Sequence, residues 1–316
     1  MNTATHTIKA KKSLKFKLTF IAVFIVTIIF QLCANGLTFA NEVSTNKTPM
    51  QFTVTVLGQG KPVILIPGLM SDARVWESLA KELQQHYQLH FINISGFADT
   101  PAVAQPSLNE VKTQLIAYIN HNKLQQPAVI GHSLGGFMAF WLATIAPDNI
   151  GAVISIDGLP YIGPIFTQTN SSTVDSLAAQ ATQIRSMYKS MSQPQLSTQS
   201  RYGLTLQATS DEAQAKVMAM VETSDPTTVG EAIYTLLSTD LRQDISKIQA
   251  PTLLLGASGG FGEIDRQAAA EQLYQQQLQA LPKAQLKMNT HSRHFIMFDD
   301  PTWLAKQVTE FLTESL

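Results

Sequence analysis

Residues 128–136 read Ala-Val-Ile-Gly-His-Ser-Leu-Gly-Gly, and their reading decides the fold. Ala128-Val129-Ile130 is a short apolar run of strand character. Gly135 to Ala146 is apolar nearly all round, the pattern of a buried helix. Between them stands a G-x-S-x-G pattern, Gly131-His132-Ser133-Leu134-Gly135, with Gly136 after it. A serine at the apex of a strand-to-helix turn sits on strained backbone, and small residues two positions either side let strand and helix approach. The turn lifts the hydroxyl out at the carboxyl end of the sheet, where ligands bind in open α/β folds. A chance G-x-S-x-G at a helix start is the bland alternative, and the strand–turn–helix context argues against it.

Outward from this turn the chain alternates strands and helices. Phe52 to Val56 alternates as a half-buried strand, and Val63 to Ile66 is a run covered on both faces. A helix follows Asp72, a strand spans Leu89 to Ile94, a helix Leu108 to Ile119, and a strand Ala152 to Ile156. The texture then changes. Residues 159–245 are rich in Gln, Ser, Thr and Met and read as several short helices. At Pro251 the first pattern returns: strand 252–255, helix 265–281, strand 284–288 and helix 300–316. The glutamines of 272–279 are expected on the solvated face of their helix, and Leu273, Tyr274 and Leu278 on its apolar face. The predicted class is α/β: a mostly parallel, doubly wound sheet with a helical lid inserted between two strands. The core is built from 51–158 and 246–316, and the lid from 159–245. Met187, Met191, Met218 and Met220, with Tyr161, Phe166, Leu236 and Leu237, form either an apolar pocket wall or simply the insertion's own core.

The amino terminus is an address. Its only charges are Lys9, Lys11, Lys12, Lys15 and Lys17, followed by the apolar run Leu18 to Leu32 and by Thr38-Phe39-Ala40. A basic stretch, an apolar stretch and small residues before a cut after Ala40 make a secretory signal. The competing reading is an uncleaved anchor, since residues 18–40 are long enough to span a bilayer. Residues 41–50 are a polar linker. Taking the five lysines from 22 Lys and Arg leaves 17 against 23 Asp and Glu, so the rest of the chain carries −6. Nucleic acid, which needs a basic face, is excluded as a partner, and a membrane is one only if the leading segment stays on. The single cysteine, Cys33, provides neither a disulfide nor a thiolate metal site, and a cut after Ala40 removes it. No metal or organic cofactor is implied.

A serine hydroxyl needs a base, and a histidine is expected towards the carboxyl terminus. His6 lies in the signal; His86, His90 and His121 are read as surface residues; His132, inside the motif, is expected to point away from the nucleophile. His291 and His294 remain, and His294, opening His-Phe-Ile-Met-Phe-Asp-Asp-Pro, is preferred.

With these pieces in place the chain resembles the α/β-hydrolase superfamily, in its lidded esterase- and lipase-like branch. The resemblance runs from Phe52 to the end. Its matching pieces are Ile66-Pro67-Gly68-Leu69, the turn at 131–136, Pro251 to Gly256, and His294 to Pro301. It implies an oxyanion hole formed by the backbone N–H groups of Leu69 and Leu134. It also implies an aspartate shortly after the Pro251–Gly256 strand, and here the sequence departs from the pattern: Ala257-Ser258-Gly259-Gly260-Phe261-Gly262 holds no acid. Three carboxylates compete: Asp157, at the end of the strand after the nucleophile helix, then Asp265, then Glu263. The expected activity is that of an exported serine hydrolase cleaving carboxylic esters or thioesters through an acyl-serine intermediate, on a small-molecule substrate. The alternatives are an aminopeptidase or amidase, for which Asp175, Glu222, Asp225 and Glu231 could supply lid carboxylates, and a catalytically silent ligand-binding protein.

Overall fold

A computed structural model describes residues 49–167 and 169–316. The leading segment and most of the linker expected at 41–50 lie outside these residues.

Seven strands form one sheet: β1 (Phe52–Leu57), β2 (Lys61–Ile66), β3 (Tyr87–Ile94), β4 (Ala128–His132), β5 (Ala152–Ile156), β6 (Thr252–Ala257) and β7 (Gln285–Asn289). Their order is β1-β3-β2-β4-β5-β6-β7. Only β1 runs antiparallel, Phe52 facing Ile94 and Leu57 facing Leu89; every other pair is parallel. The central strands explain the continuous apolar runs. Every residue of β4, β5 and β6 is buried, as strands covered on both faces must be. β1 is the exposed edge, and its alternating apolar and polar residues suit one wet face.

The flanking helices of the first half are α1 (Glu77–Leu83), α2 (Leu108–His121) and α3 (Leu134–Ile145). α2 starts where Ser107 Oγ accepts from the Glu110 N–H, and its stripe Leu108, Val111, Leu115 and Ile119 is buried. α3 buries Leu134 through Thr144 without interruption and packs against β2, β4 and β5. That is why it lacks a polar face.

Between β5 and β6 the chain makes six helices: α4 (Gly163–Thr167), α5 (Val174–Ser190), α6 (Gln193–Arg201), α7 (Leu204–Gln207), α8 (Asp211–Val221) and α9 (Pro226–Ser238). α5 and α9 pack along each other. Met218 and Met220 are buried, as are Tyr161, Leu236 and Leu237, so they are core of the inserted helices; Met187 and Met191 are half-buried. The insertion is tied to the loop after β3: the Asp225 N–H donates to the Gly96 carbonyl (2.8 Å), and the Ala98 N–H to Ser224 Oγ (2.9 Å).

After β6 come α10 (Ile264–Gln277), α11 (Ile296–Asp299) and α12 (Pro301–Ser315). Three expectations are corrected here. His90 lies within β3 and is buried; Tyr118 Oη donates to its Nδ1 (2.7 Å), and burial holds its pKa below the usual histidine value. The helix expected to run to 281 stops at Gln277. Gln277 is fully buried, not on a wet face, and its Oε1 accepts from the Tyr161 N–H at 3.1 Å.

Candidate active site

Ser133 occupies the step from β4 to α3 with φ 54° and ψ −115°, a region that costs a non-glycine residue free energy unless its surroundings enforce it. The surroundings do so. The Ser133 N–H donates to the Ile156 carbonyl (2.8 Å), extending the β4–β5 ladder one residue past the strands. The Ser133 carbonyl accepts from the Phe137 N–H (3.0 Å), opening α3. The glycines are required by contact: a Cβ on Gly131 would overlap the Gly135 carbonyl, and one on Gly135 would overlap the Ile66 carbonyl. Ser133 itself keeps partial exposure.

Asp157 follows β5 directly, with φ 51°, a left-handed conformation that aspartate tolerates better than most residues. Its N–H donates to the Leu255 carbonyl (2.7 Å), and Ser155 Oγ donates to the Gly158 carbonyl (2.7 Å), closing the turn. The register of β4 on β5 pairs His132 with Ile156, so Ser133 and Asp157 leave the carboxyl ends of adjacent parallel strands side by side.

His294 comes from the loop after β7. Its ring Nδ1–H donates to Asp157 Oδ2 at 2.6 Å. The carboxylate is nearly buried, with 8% of the side chain exposed, against 26% for the imidazole. The loop is held by acids within the His294–Pro301 stretch. Asp299 Oδ2 accepts from the Arg293 N–H (2.8 Å), and the two Asp299 oxygens take the Thr209 N–H and Oγ1. Asp300 caps α12 through the Trp303 N–H. His291, by contrast, is exposed. Asp265 and Glu263 stand exposed at the start of α10; Glu263 is 75% exposed and faces Arg266. Neither meets the imidazole, which has Asp157 instead.

Leu134 is the first residue of α3, and Leu69 lies in the turn after β2 that is closed by the Ser71 N–H on the Gly68 carbonyl (3.2 Å). Neither the Leu69 nor the Leu134 N–H donates to an acceptor among the described residues. Leu134 directly follows Ser133, and Gly68, next to Leu69, lies close to the Ser133 side chain, where a Cβ would come within 3.2 Å of Ser133 Cβ.

His132, expected only to point away from Ser133, turns its ring to His294. It is fully buried, and its Nε2–H donates to the His294 backbone carbonyl at 3.0 Å. The two rings lie 4.6 Å apart, centroid to centroid. Burial, with His294 alongside, drives the His132 pKa well below the ordinary value, so the ring is neutral and carries its proton on Nε2. Its Nδ1 has no partner and faces Gly68, where a Cβ would come within 2.8 Å. The motif's second position thus braces the loop that carries His294. Sequence offered one signal for this, a histidine in a position flanked by buried strand and buried helix.

A cavity of about 460 Å³ lies elsewhere, between Gly96–Ala102 and Gln193, Thr223 and Pro226. None of Ser133, Asp157 and His294 lines it. Among the described residues no group of three or more His, Cys, Asp and Glu is placed to hold a metal ion.

Ser133 thus stands on a strained strand-to-helix turn and Asp157, at the end of the adjacent strand, holds His294; no hydrogen bond links Ser133 Oγ to His294 among the described residues. Residues 61–301 match the alpha/beta hydrolase fold family, and the chain belongs to it. Over 264 residues it is 26% identical to a pimeloyl-[acyl-carrier protein] methyl ester esterase of Nitrosomonas europaea, spanning 78% of this chain and 94% of that protein. A thermophilic esterase from Thermogutta terrifontis superposes with a TM-score of 0.67 at 16% identity, over 84% of this chain and 93% of that one. The enol-lactonase of Burkholderia xenovorans superposes with a TM-score of 0.64 at 17% identity, over 83% and 96%. At these identities the two structures share the fold with this chain and nothing finer.

Proposed function

We propose that the chain is an exported serine hydrolase of carboxylic esters or thioesters. The observation that carries this is the 2.6 Å Asp157–His294 hydrogen bond at the carboxyl ends of β4 and β5, where Ser133 stands on its strained turn. Ser133 Oγ attacks the acyl carbon. His294, its Nδ1–H engaged by Asp157, takes the serine proton on Nε2 and returns it to the departing alkoxide or thiolate. The Leu69 and Leu134 N–H groups receive the oxyanion. Water activated by His294 then releases the acid and the free serine. The 26% identical methyl ester esterase supports an ester as the scissile group.

Two alternatives weaken on particular contacts. An amine-recognising lid would need free carboxylates. Glu222 instead faces Arg201, Glu231 is shared by Arg185 and Lys189, and Asp225 Oδ2 accepts from the Thr228 N–H at the start of α9, which leaves Asp175 alone of the four, exposed in the first turn of α5. A silent binder was motivated by the missing acid after β6; Asp157 offers a carboxylate to His294 from β5 instead.

A fluorophosphonate probe should label Ser133, and a series of p-nitrophenyl esters of increasing chain length should be hydrolysed. A native, folded chain that does neither refutes the proposal. Within the series, His294→Ala should cost about 10⁴-fold or more in kcat, while His291→Ala, at an exposed position, stays within a few-fold. Reversed phenotypes would move the base to His291.

Export is part of the same proposal. Expressed in a bacterium with residues 1–40 attached, the protein should be recovered from the periplasm or medium beginning at Asn41. Intact mass and amino-terminal sequencing read this directly. An unshortened chain in the membrane fraction would establish the anchor instead.

A further inference from the structure

We infer that Tyr274 is a positioning residue for the Asp157–His294 pair: its hydroxyl fixes which carboxylate oxygen faces the imidazole. The inference rests on the catalytic roles proposed for these two residues. Tyr274 Oη donates to Asp157 Oδ1 at 2.6 Å, and the Ala257 N–H donates to the same oxygen at 2.8 Å. Oδ2 is thereby left to His294 Nδ1. Three donors from three elements, α10, β6 and the loop after β7, hold one carboxylate and remove its freedom to rotate.

A buried tyrosine could simply have satisfied its hydroxyl on any acceptor nearby. Two features point to more than that. The first is space. Gly256 in β6 lies against the Tyr274 ring; a Cβ there would come within 2.8 Å of Tyr274 Cδ1 and would overlap Met288 Sδ. A glycine inside a fully buried strand loses packing, and here its missing side chain admits the ring. The second is that α10 is hooked twice onto the chain leaving β5. Tyr274 holds Asp157, and one turn on, Gln277 Oε1 accepts from the Tyr161 N–H. The phenol also remains a donor. Burial, then the Asp157 charge, then the hydrogen bond itself raise its pKa well above the ordinary tyrosine value. Facing the Tyr274–Asp157 contact is His294, with the His132 ring beside it.

The test is Tyr274→Phe, which deletes one oxygen and keeps the ring against Gly256. Expected is a loss of about tenfold in kcat on a p-nitrophenyl ester, with KM within about twofold, because substrate binding does not involve this hydroxyl. In an Asp157→Asn background the same change should cost less than about twofold, since a residue acting only through Asp157 has nothing further to lose there. A readout independent of turnover is the low-field proton NMR signal of His294 Nδ1–H. It should shift or broaden in Y274F and disappear in His294→Ala, which assigns it. If the wild type hydrolyses no ester yet Y274F moves this signal, the functional reading fails and the positioning role stands. If the signal is unmoved, or if Y274F costs the same factor with and without Asp157, the inference is overturned. Should Y274F fail to fold, uniform 3-fluorotyrosine incorporation into the unmutated chain makes the phenol a stronger donor. The His294 signal must then move, and a fixed signal overturns the inference.

Discussion

Ser133→Ala is expected to remove ester turnover by about 10⁴-fold or more, measured as kcat/KM on the best p-nitrophenyl ester, and to abolish fluorophosphonate labelling. Removing the hydroxyl removes the only atom that forms the acyl bond, while the two N–H groups and His294 stay in place. Stability gives an internal control. The positive φ at 133 is imposed by the ladder bond to Ile156 and by the first bond of α3, neither of which involves Oγ. Alanine inherits the same backbone strain as serine, so the melting temperature should barely move. Ser133→Gly should be equally inactive yet more stable than the alanine variant by about 1 kcal/mol, because glycine adopts positive φ without steric cost. A variant that keeps a tenth of the wild-type turnover would remove Ser133 from the mechanism. A glycine variant less stable than the alanine one would remove the strain argument.

What could be read from sequence was what the backbone dictates. The glycines at 131 and 135 mark a place where strand and helix carbonyls leave no room for a Cβ, and that requirement survives in one-dimensional form. The unbroken apolar run Val63 to Ile66 announced a strand covered on both faces, and these four residues of β2 are buried. Asp157 could be ranked ahead of Asp265 and Glu263 because it ends the strand that follows the nucleophile helix, where some members of the resembled superfamily place the acid, whereas the other two would need the glycine-rich loop to fold back. What escaped was the far end of side chains on buried faces. Tyr274 fell in the apolar stripe of α10, where its ring belongs, but a stripe does not say what the hydroxyl meets. Gln277 was averaged into a glutamine-rich surface, although the helix turns it inward to Tyr161. His90 reads as a surface residue from sequence, and His132 only as a ring pointing away from the nucleophile. Both are buried, and each has a partner distant in sequence: His294 in one case, Tyr118 in the other. Periodicity gives the face of an element; only packing supplies the atom across from it.

Asp157→Asn is expected to lower kcat by about 10²–10⁴-fold with little change in KM, and the contacts around the carboxylate say why. Oδ1 accepts from two donors, Tyr274 Oη and the Ala257 N–H. In the amide the carbonyl oxygen must stay on that side, because an NH₂ group there would face two donors. The NH₂ is then forced onto the side of His294, 2.6 Å from Nδ1 in the native pair. Two N–H groups cannot point at each other, so the imidazole must shift its proton to Nε2, the nitrogen that has to accept from Ser133. The base is present and correctly placed but already protonated where it must be empty. For that reason Asp157→Asn should be no more active than Asp157→Ala, which deletes the side chain but leaves the imidazole free to choose its tautomer. Were Asp157 merely a cap for the turn after β5, asparagine would be the milder change. Asp265→Asn and Glu263→Gln should remain within a few-fold of wild type, since both groups stand in water at the start of α10. An Asp157→Asn enzyme with a third of the native kcat, or an Asp265→Asn enzyme that has lost a hundredfold, would show that His294 is oriented by something other than Asp157.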